Sequence, residues 1–163
     1  MVLCASTVER MLEYQHVDVF TGRPYAGNSL AVFLDQQSLT AAQMLAVTQE
    51  LRHFESIFLT RAADGVVDAR IFDLIEELPF AGHPTIGAAA VLHQVSDATS
   101  GGPLGWRLRL AARTVTVNND GRTEDVAHGS AEHVQEVTVS GEVSFVGTGR
   151  LDVVPTADTG SRS

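Results

Sequence analysis

From Pro84 to His93 the chain is apolar without a polar face, and this run constrains the fold more than any other stretch. It is long enough for a short helix. A helix that is hydrophobic all round belongs inside a core, so the other elements must be arranged about it. Pro84 suits the first helical position, where a missing N–H costs nothing. The residues just before it, Ala81, Gly82 and His83, are small or polar. They set free backbone N–H groups and an imidazole at the N-terminal end of a buried helix, a place that attracts a carboxylate or phosphate. The same residues also suit a plain loop-to-helix join with a capping histidine.

The 163 residues fit one domain with a sizeable core. Hydrophobic residues make up 44 % and charged residues 19 %, which excludes general disorder. A formal net charge of −9 disfavours nucleic acid and anionic membrane as partners. It leaves room for an anionic small molecule, because a local site can oppose the global field. The single cysteine, Cys4, forms no internal disulfide, and no Cys/His spacing suits a metal. Met1 to Glu9 lacks a basic segment, and no stretch reaches transmembrane length. A cytoplasmic protein is expected.

Along the chain, residues 1–13 form an N-terminal extension, 14–151 the domain and 152–163 a disordered tail. Tyr14 to Phe20 alternates as a strand, followed by a glycine- and proline-punctuated loop from Thr21 to Asn28. Ser29 to Leu34 reads as a buried strand. Thr40 and Gln43 form a capping box opening a helix with Met44, Leu45, Val47, Thr48 and Leu51 on its apolar stripe. Short strands follow at Ile57–Thr60 and Val66–Phe72, with a turn at Ala63–Gly65 between them. Beyond the buried helix, Ser96 to Gly105 is a small-residue loop. Trp106–Leu110 and Thr114–Val117 then read as a hairpin. The polar stretch from about 118 to 131 reads as a long loop. Val134–Val139 and Val143–Val146 make a closing hairpin turned at Ser140–Glu142. The expected architecture is α+β: a curled mixed sheet wrapped around the Pro84–His93 helix.

Three small groups can carry chemistry. Gly27 permits close backbone approach and Asn28 both gives and takes hydrogen bonds, although the pair also suits a simple turn. Glu55 lies between Phe54 and Ile57 at a helix-to-strand junction, where apolar neighbours raise a carboxyl's proton affinity unless water reaches it. His83 can exchange protons near neutral pH. Glu76 and Glu77 read as a solvated turn, and His16 reaches either the core or the site. Walker-type, Gly-x-Gly-x-x-Gly and Gly-x-Ser-x-Gly patterns are all missing from the sequence.

In order, the strand with Gln15, Asp18 and Phe20, then Gly27-Asn28, then Glu55-Ser56 with Phe58, then Glu77 through Thr85 resemble the PhzF phenazine-biosynthesis family, related in fold to diaminopimelate epimerase. The resemblance runs from about Tyr14 to about Leu110, and Val137 to Gly149 is similar to the family's C-terminal strands. It implies a cofactor-free, metal-free proton-transfer enzyme. The family's general acid/base glutamate corresponds to Glu55, and its substrate-positioning histidine to His83. Gly27-Asn28 corresponds to the loop lining the same cleft, and Gly82 and Thr85 flank the histidine. Phe54 stands where serine is usual, and Phe72-Asp73-Leu74 replaces the usual Phe-Thr-Pro.

Length is the larger departure. Members of the family have two similar domains facing each other across the site, and the second adds an aspartate and a Thr-Gly-Ser turn. Here only Asp158 to Ser161 echoes that turn. The resemblance therefore implies an isomerase of small carboxylated metabolites in specialised-metabolite biosynthesis. A homodimer, or a heterodimer with a second half-domain, would restore the missing wall. A non-catalytic binding protein and a truncated remnant are the alternatives that the length leaves open.

Overall fold

The computed structural model describes residues 11–35, 39–62, 64–96, 105–119, 124–128 and 138–151. Cys4, most of the expected extension, Ala63 of the expected turn, the tail and its Asp158–Ser161 echo lie outside them. The described residues form ten strands and two helices. In chain order they are β1 (Leu12–Val19), β2 (Asn28–Phe33), α1 (Ala41–Leu51), β3 (Glu55–Arg61), β4 (Val67–Asp73) and β5 (Glu77–Leu78). Then come α2 (Gly82–Val95), β6 (Gly105–Arg109), β7 (Thr114–Asn119), β8 (Glu124–His128), β9 (Thr138–Gly141) and β10 (Val143–Leu151). The class is α+β, as expected.

All ten strands share one mixed sheet in the order β10-β1-β2-β3-β4-β6-β7-β8-β9, with β5 paired to β4. Two neighbouring pairs are parallel: β2 with β3, bridged by α1, and β4 with β6, bridged by α2. Because β3 and β4 are antiparallel, these two pairs run in opposite directions while the sheet advances the same way. Parallel crossovers are almost always right-handed. Applied to both connections, that rule sends the two helices to opposite faces of the sheet, as observed.

Side-chain alternation along the strands feeds both faces. Leu30 and Val32 of β2, Ile57 and Leu59 of β3, and Ile71 of β4 join Ile86, Ala88, Ala89, Val91 and Leu92 of α2 in the inner core. Ala31, Phe33, Phe58 and Phe72 face the other way, onto Met44 and Val47 of α1. There Phe33 stacks on Phe58 at 4.6 Å between centroids, and Phe58 meets Phe72 edge-on at 5.8 Å. The capping box of α1 is formed: Gln43 N–H donates to Thr40 Oγ1 at 3.3 Å and Thr40 N–H to Gln43 Oε1 at 2.9 Å.

Every residue of α2 from Pro84 to Leu92 is buried. The helix touches β1, β2, β3 and β6 through β10. Gly87 permits that embrace: a Cβ there would lie 2.5 Å from Leu30 Cδ2. The sheet ends meet because β9 and β10, its two terminal strands, are joined through Glu142 alone. Two residues can span no more than about 7 Å, so the sheet must curl almost to closure around the helix.

Several sequence expectations are corrected. The helix begins at Gly82, so Gly82 and His83 occupy its first turn and Pro84 its third position. Proline is tolerated there because the N–H at that position still lacks an intrahelical partner. β1 begins at Leu12, inside the expected extension, since Leu12 and Glu13 find partners in Leu151 and Arg150 of β10. The loop expected over 118–131 is interrupted: β7 runs to Asn119, and Glu124–His128 forms β8 against it. Backbone pairing needs no apolar pattern, so polarity hid the strand. The expected hairpin at Ser140–Glu142 is not one, because β9 pairs with β8 and β10 with β1. Glu77 is not a solvated turn residue; it lies on β5 with both carboxylate oxygens on the Arg70 guanidinium, at 2.7 and 2.6 Å.

Candidate active site

The strand register decides which polar residues meet at the N-terminal end of α2. β3 starts at Glu55, paired with Leu30 on one side and Asp73 on the other. Paired residues project to one face, and Leu30 faces α2, so Glu55 and Asp73 do too. Asn28, two residues before Leu30 on β2, shares that face. The chain thus brings Asn28, Glu55, Asp73 and His83 to one end of the curled sheet from four separate elements.

Glu55 and His83 are in contact. Glu55 Oε2 lies 3.1 Å from His83 Nδ1, with the side chains 18 % and 13 % exposed. The approach is not aligned as a hydrogen bond. Glu55 Oε2 and His83 Nε2 are both buried, and neither has a hydrogen-bond partner among the described residues. Burial pushes the Glu55 carboxyl above its usual range, and the charge of Asp73 adds to this. Burial also pushes the His83 imidazole down to about 4, so it is neutral near pH 7. Two adjacent polar groups, neither committed to the protein, are the arrangement expected where a substrate completes the bonding.

The surroundings leave space for one. The N-cap Ala81 gives no side-chain hydrogen bond to α2, so the first N–H groups are not capped that way. Among the described residues a Cβ on Gly82 would meet only Val139 Cγ1, at 4.0 Å, so they do not require glycine there for space. Glycine leaves the helix end open to approach. Thr85 is fully buried and its hydroxyl donates to the Ala81 carbonyl at 2.5 Å, which fixes the first turn and commits that proton. Asn28 is exposed at the rim. Gly27 is needed for a reason other than ligand approach: a Cβ there would lie 2.5 Å from the Val19 carbonyl oxygen.

Two features escaped sequence reading. Asp18 is 4 % exposed and its carboxylate accepts the Tyr25 N–H at 2.5 Å, tying down the loop before Asn28. That loop holds Phe20 and Tyr25 at φ 66°, a conformation unfavourable for aromatic residues and one that needs such anchoring. On the sheet's outer face, Ser29 Oγ sits 2.8 Å from His16 Nε2 and 2.6 Å from His53 Nδ1. His16 therefore reaches neither the inner core nor the Glu55 site. Among the described residues no group of three or more His, Cys, Asp and Glu side chains is placed to hold a metal. Nor is any described helix long and apolar enough to cross a membrane.

Comparison with known proteins bears on the fold and the family. A solved structure described as a predicted epimerase of Pseudomonas aeruginosa is 46 % identical, with a TM-score of 0.64 over 74 % of this chain and 44 % of that one. A PhzF-family phenazine biosynthesis protein from Enterococcus faecalis, 21 % identical, shares the fold with a TM-score of 0.66 over 72 % of this chain and 44 % of that one. Among curated proteins, the uncharacterised isomerase YddE of Salmonella typhimurium is 40 % identical over 98 residues, 60 % of this chain and 32 % of that protein. The trans-2,3-dihydro-3-hydroxyanthranilate isomerase of Pseudomonas aeruginosa is 40 % identical over 88 residues, 53 % of this chain and 32 % of that protein. These matches thus span less than half of each relative. The family described as PhzC-PhzF, phenazine biosynthesis-like protein, matches residues 17–144, more than half of the chain, and the chain belongs to that family.

Proposed function

We propose that this chain forms one wall of an isomerase that shifts a proton within a small carboxylated metabolite, without a cofactor, in a cytoplasmic route to specialised metabolites. The observation that carries this reading is the buried, mutually unsatisfied contact between Glu55 and His83 at the open end of α2. The backbone N–H groups of Gly82 and His83 would hold the substrate carboxylate, with Thr85 fixing the turn they belong to. Asn28, beside Gly27, would orient the substrate from the rim. Ionised Glu55 takes a proton from carbon, and the electron pair left behind delocalises into the substrate's adjacent unsaturation. The resulting carboxylic acid returns the proton to another carbon. Neutral His83 has one ring N–H to donate and steadies the developing charge.

A cleft needs a second wall to exclude water. Among the described residues, five of the eight large hydrophobic side chains left exposed, Phe20, Tyr25, Phe54, Leu74 and Ile75, lie in the connections at the Glu55–His83 end, which gives that end an apolar rim. A rim of this kind marks an interaction surface. Its proposed occupant is a second copy of the chain, since two-fold pairing is the commonest oligomeric arrangement. The same open Glu55–His83 contact also fits a second reading, a binding protein that holds such a metabolite without turning it over.

The test is solvent exchange. The chain, incubated in D2O with trans-2,3-dihydro-3-hydroxyanthranilate, is expected to place deuterium on substrate carbon, and Glu55→Gln is expected to stop it. Binding with no exchange selects the second reading. Undiminished exchange in Glu55→Gln assigns the proton to another residue. Light scattering across a dilution series tests the pairing; full turnover by a strict monomer would overturn it.

A further inference from the structure

Asp73 has a place in this site that the proposed chemistry does not yet use. It is the cross-strand partner of Glu55 in the β3–β4 ladder. Such partners hold their Cβ atoms about 4.5–5.5 Å apart on one face. The Asp73 side chain is also pinned. Its Oδ1 accepts the Ile75 N–H at 2.6 Å and the Glu76 N–H at 2.7 Å, while its own N–H donates to the Glu76 carbonyl at 3.0 Å. This closed turn fixes a carboxylate at the end of β4, opposite the start of β3. Among the described residues, the titratable groups beside Glu55 are Asp73, its cross-strand neighbour on β4, and His83 of α2; β2 contributes Leu30 and Asn28, which carry no charge.

We propose that Asp73 is a positioning residue that acts through Glu55, its pinned carboxylate tuning how readily Glu55 takes up and returns the substrate's proton. The like charge of a carboxylate at the cross-strand position disfavours ionisation of Glu55 unless a cation intervenes. His83, the imidazole in contact with Glu55, is held neutral by burial. Burial and Asp73 therefore act on Glu55 in the same direction, with nothing opposing them. Once ionised, Glu55 is a stronger base toward substrate carbon than an isolated carboxylate would be. The proposal deepens the reading of Glu55 as the acid/base and rests on it for its functional meaning, though the coupling itself is measurable without turnover.

The experiment is a carbon-detected NMR titration of the side-chain carboxyls in the whole chain, with the Glu55 signal assigned from its loss in Glu55→Gln. Asp73→Asn and Asp73→Thr both remove the charge and keep a side-chain oxygen able to accept the two turn N–H bonds, so either one that folds suffices. The Glu55 midpoint is expected to move to lower pH in both variants and to stay high in Asp73→Glu, which restores the charge. Any acid limb in the turnover profile should move with it. An unmoved midpoint in a folded Asn or Thr variant overturns the role of Asp73 while leaving Glu55 as acid/base. Full turnover by Glu55→Gln does the reverse, removing the functional reading and leaving the coupling in place.

Discussion

Two histidine-containing groups lie on opposite faces of the same sheet, and they are finished differently. On the outer face one hydroxyl joins two imidazoles: Ser29 Oγ is within 2.8 Å of His16 and 2.6 Å of His53, and the two rings sit 4.5 Å apart. A hydroxyl carries one proton, so it donates to one ring and accepts from the other. On the inner face His83 meets Glu55 without an aligned hydrogen bond, and buried atoms of both remain unpartnered. Leaving a buried polar group unsatisfied costs about 1–3 kcal/mol. The outer cluster has been closed by the fold itself, whereas the inner one is left for a ligand to close. The difference separates a stabilising network from a poised site although both contain histidines at similar depth.

The largest expected effect that would sharpen this contrast is on turnover. Glu55→Gln should lower it by about 10²–10⁴-fold, the usual worth of a positioned acid/base. Its stability at neutral pH should be unchanged or slightly higher. The sign follows from the raised carboxyl: Glu55 favours the folded state below its unfolded titration range and loses that contribution as pH rises through its folded value. A variant with unchanged turnover and lowered stability would make the inner pair a structural contact like the outer one.

Next in size is the acid response. His83 titrates at about 4 in the fold against 6.5 unfolded, so the unfolded chain takes up the proton first as pH falls. Stability attributable to neutral His83 is present above pH 6.5 and is lost between 6.5 and about 4, by up to about 3 kcal/mol. Urea melts of His83→Asn across that window should show a shallower loss than the parent chain. His53 is pushed down too, by burial and then by His16, with Asp18 opposing, so a slope of the same sign should remain. If the variant and the parent lose stability in parallel, His83 is not buried neutral.

Ser29→Ala should cost about 1–3 kcal/mol in denaturant melts, because it strands two ring nitrogens, and should leave solvent exchange intact. Loss of exchange in that variant would break the division between the two faces. The smallest effect is expected at the rim. Asn28→Ala, at an exposed position, should change stability by no more than about 0.5 kcal/mol while weakening substrate binding. Unaltered binding would remove Asn28 from the site.

The inner pair was more legible in the sequence than the outer network. Glu55 and His83 announced themselves by residue type in apolar settings and by the Pro79–Thr85 run, where the resemblance is most specific. The capping box at Thr40 and the all-apolar α2 were legible for the same reason, being local patterns with a direct physical cause. Ser29, His53 and Asp73 gave no such signal. Each acquires its role from a partner on another strand, and a one-residue change of register would give it a different one.

The sequence by itself determined that a buried helix must lie at the centre of this chain, because a segment with no polar face has nowhere else to go. It also determined that a carboxylate and an imidazole occur in settings able to shift their proton affinities. Only the tertiary structure decided how the helix is enclosed: β9 and β10, adjacent in the chain, lie at opposite ends of one sheet, which must therefore curl shut around α2. It likewise decided that Asp73 faces Glu55 and that a polar stretch supplies β8. Strand pairing is a long-range choice made by backbone hydrogen bonds that every residue type can offer, so composition and periodicity along the chain do not record which strand lies beside which.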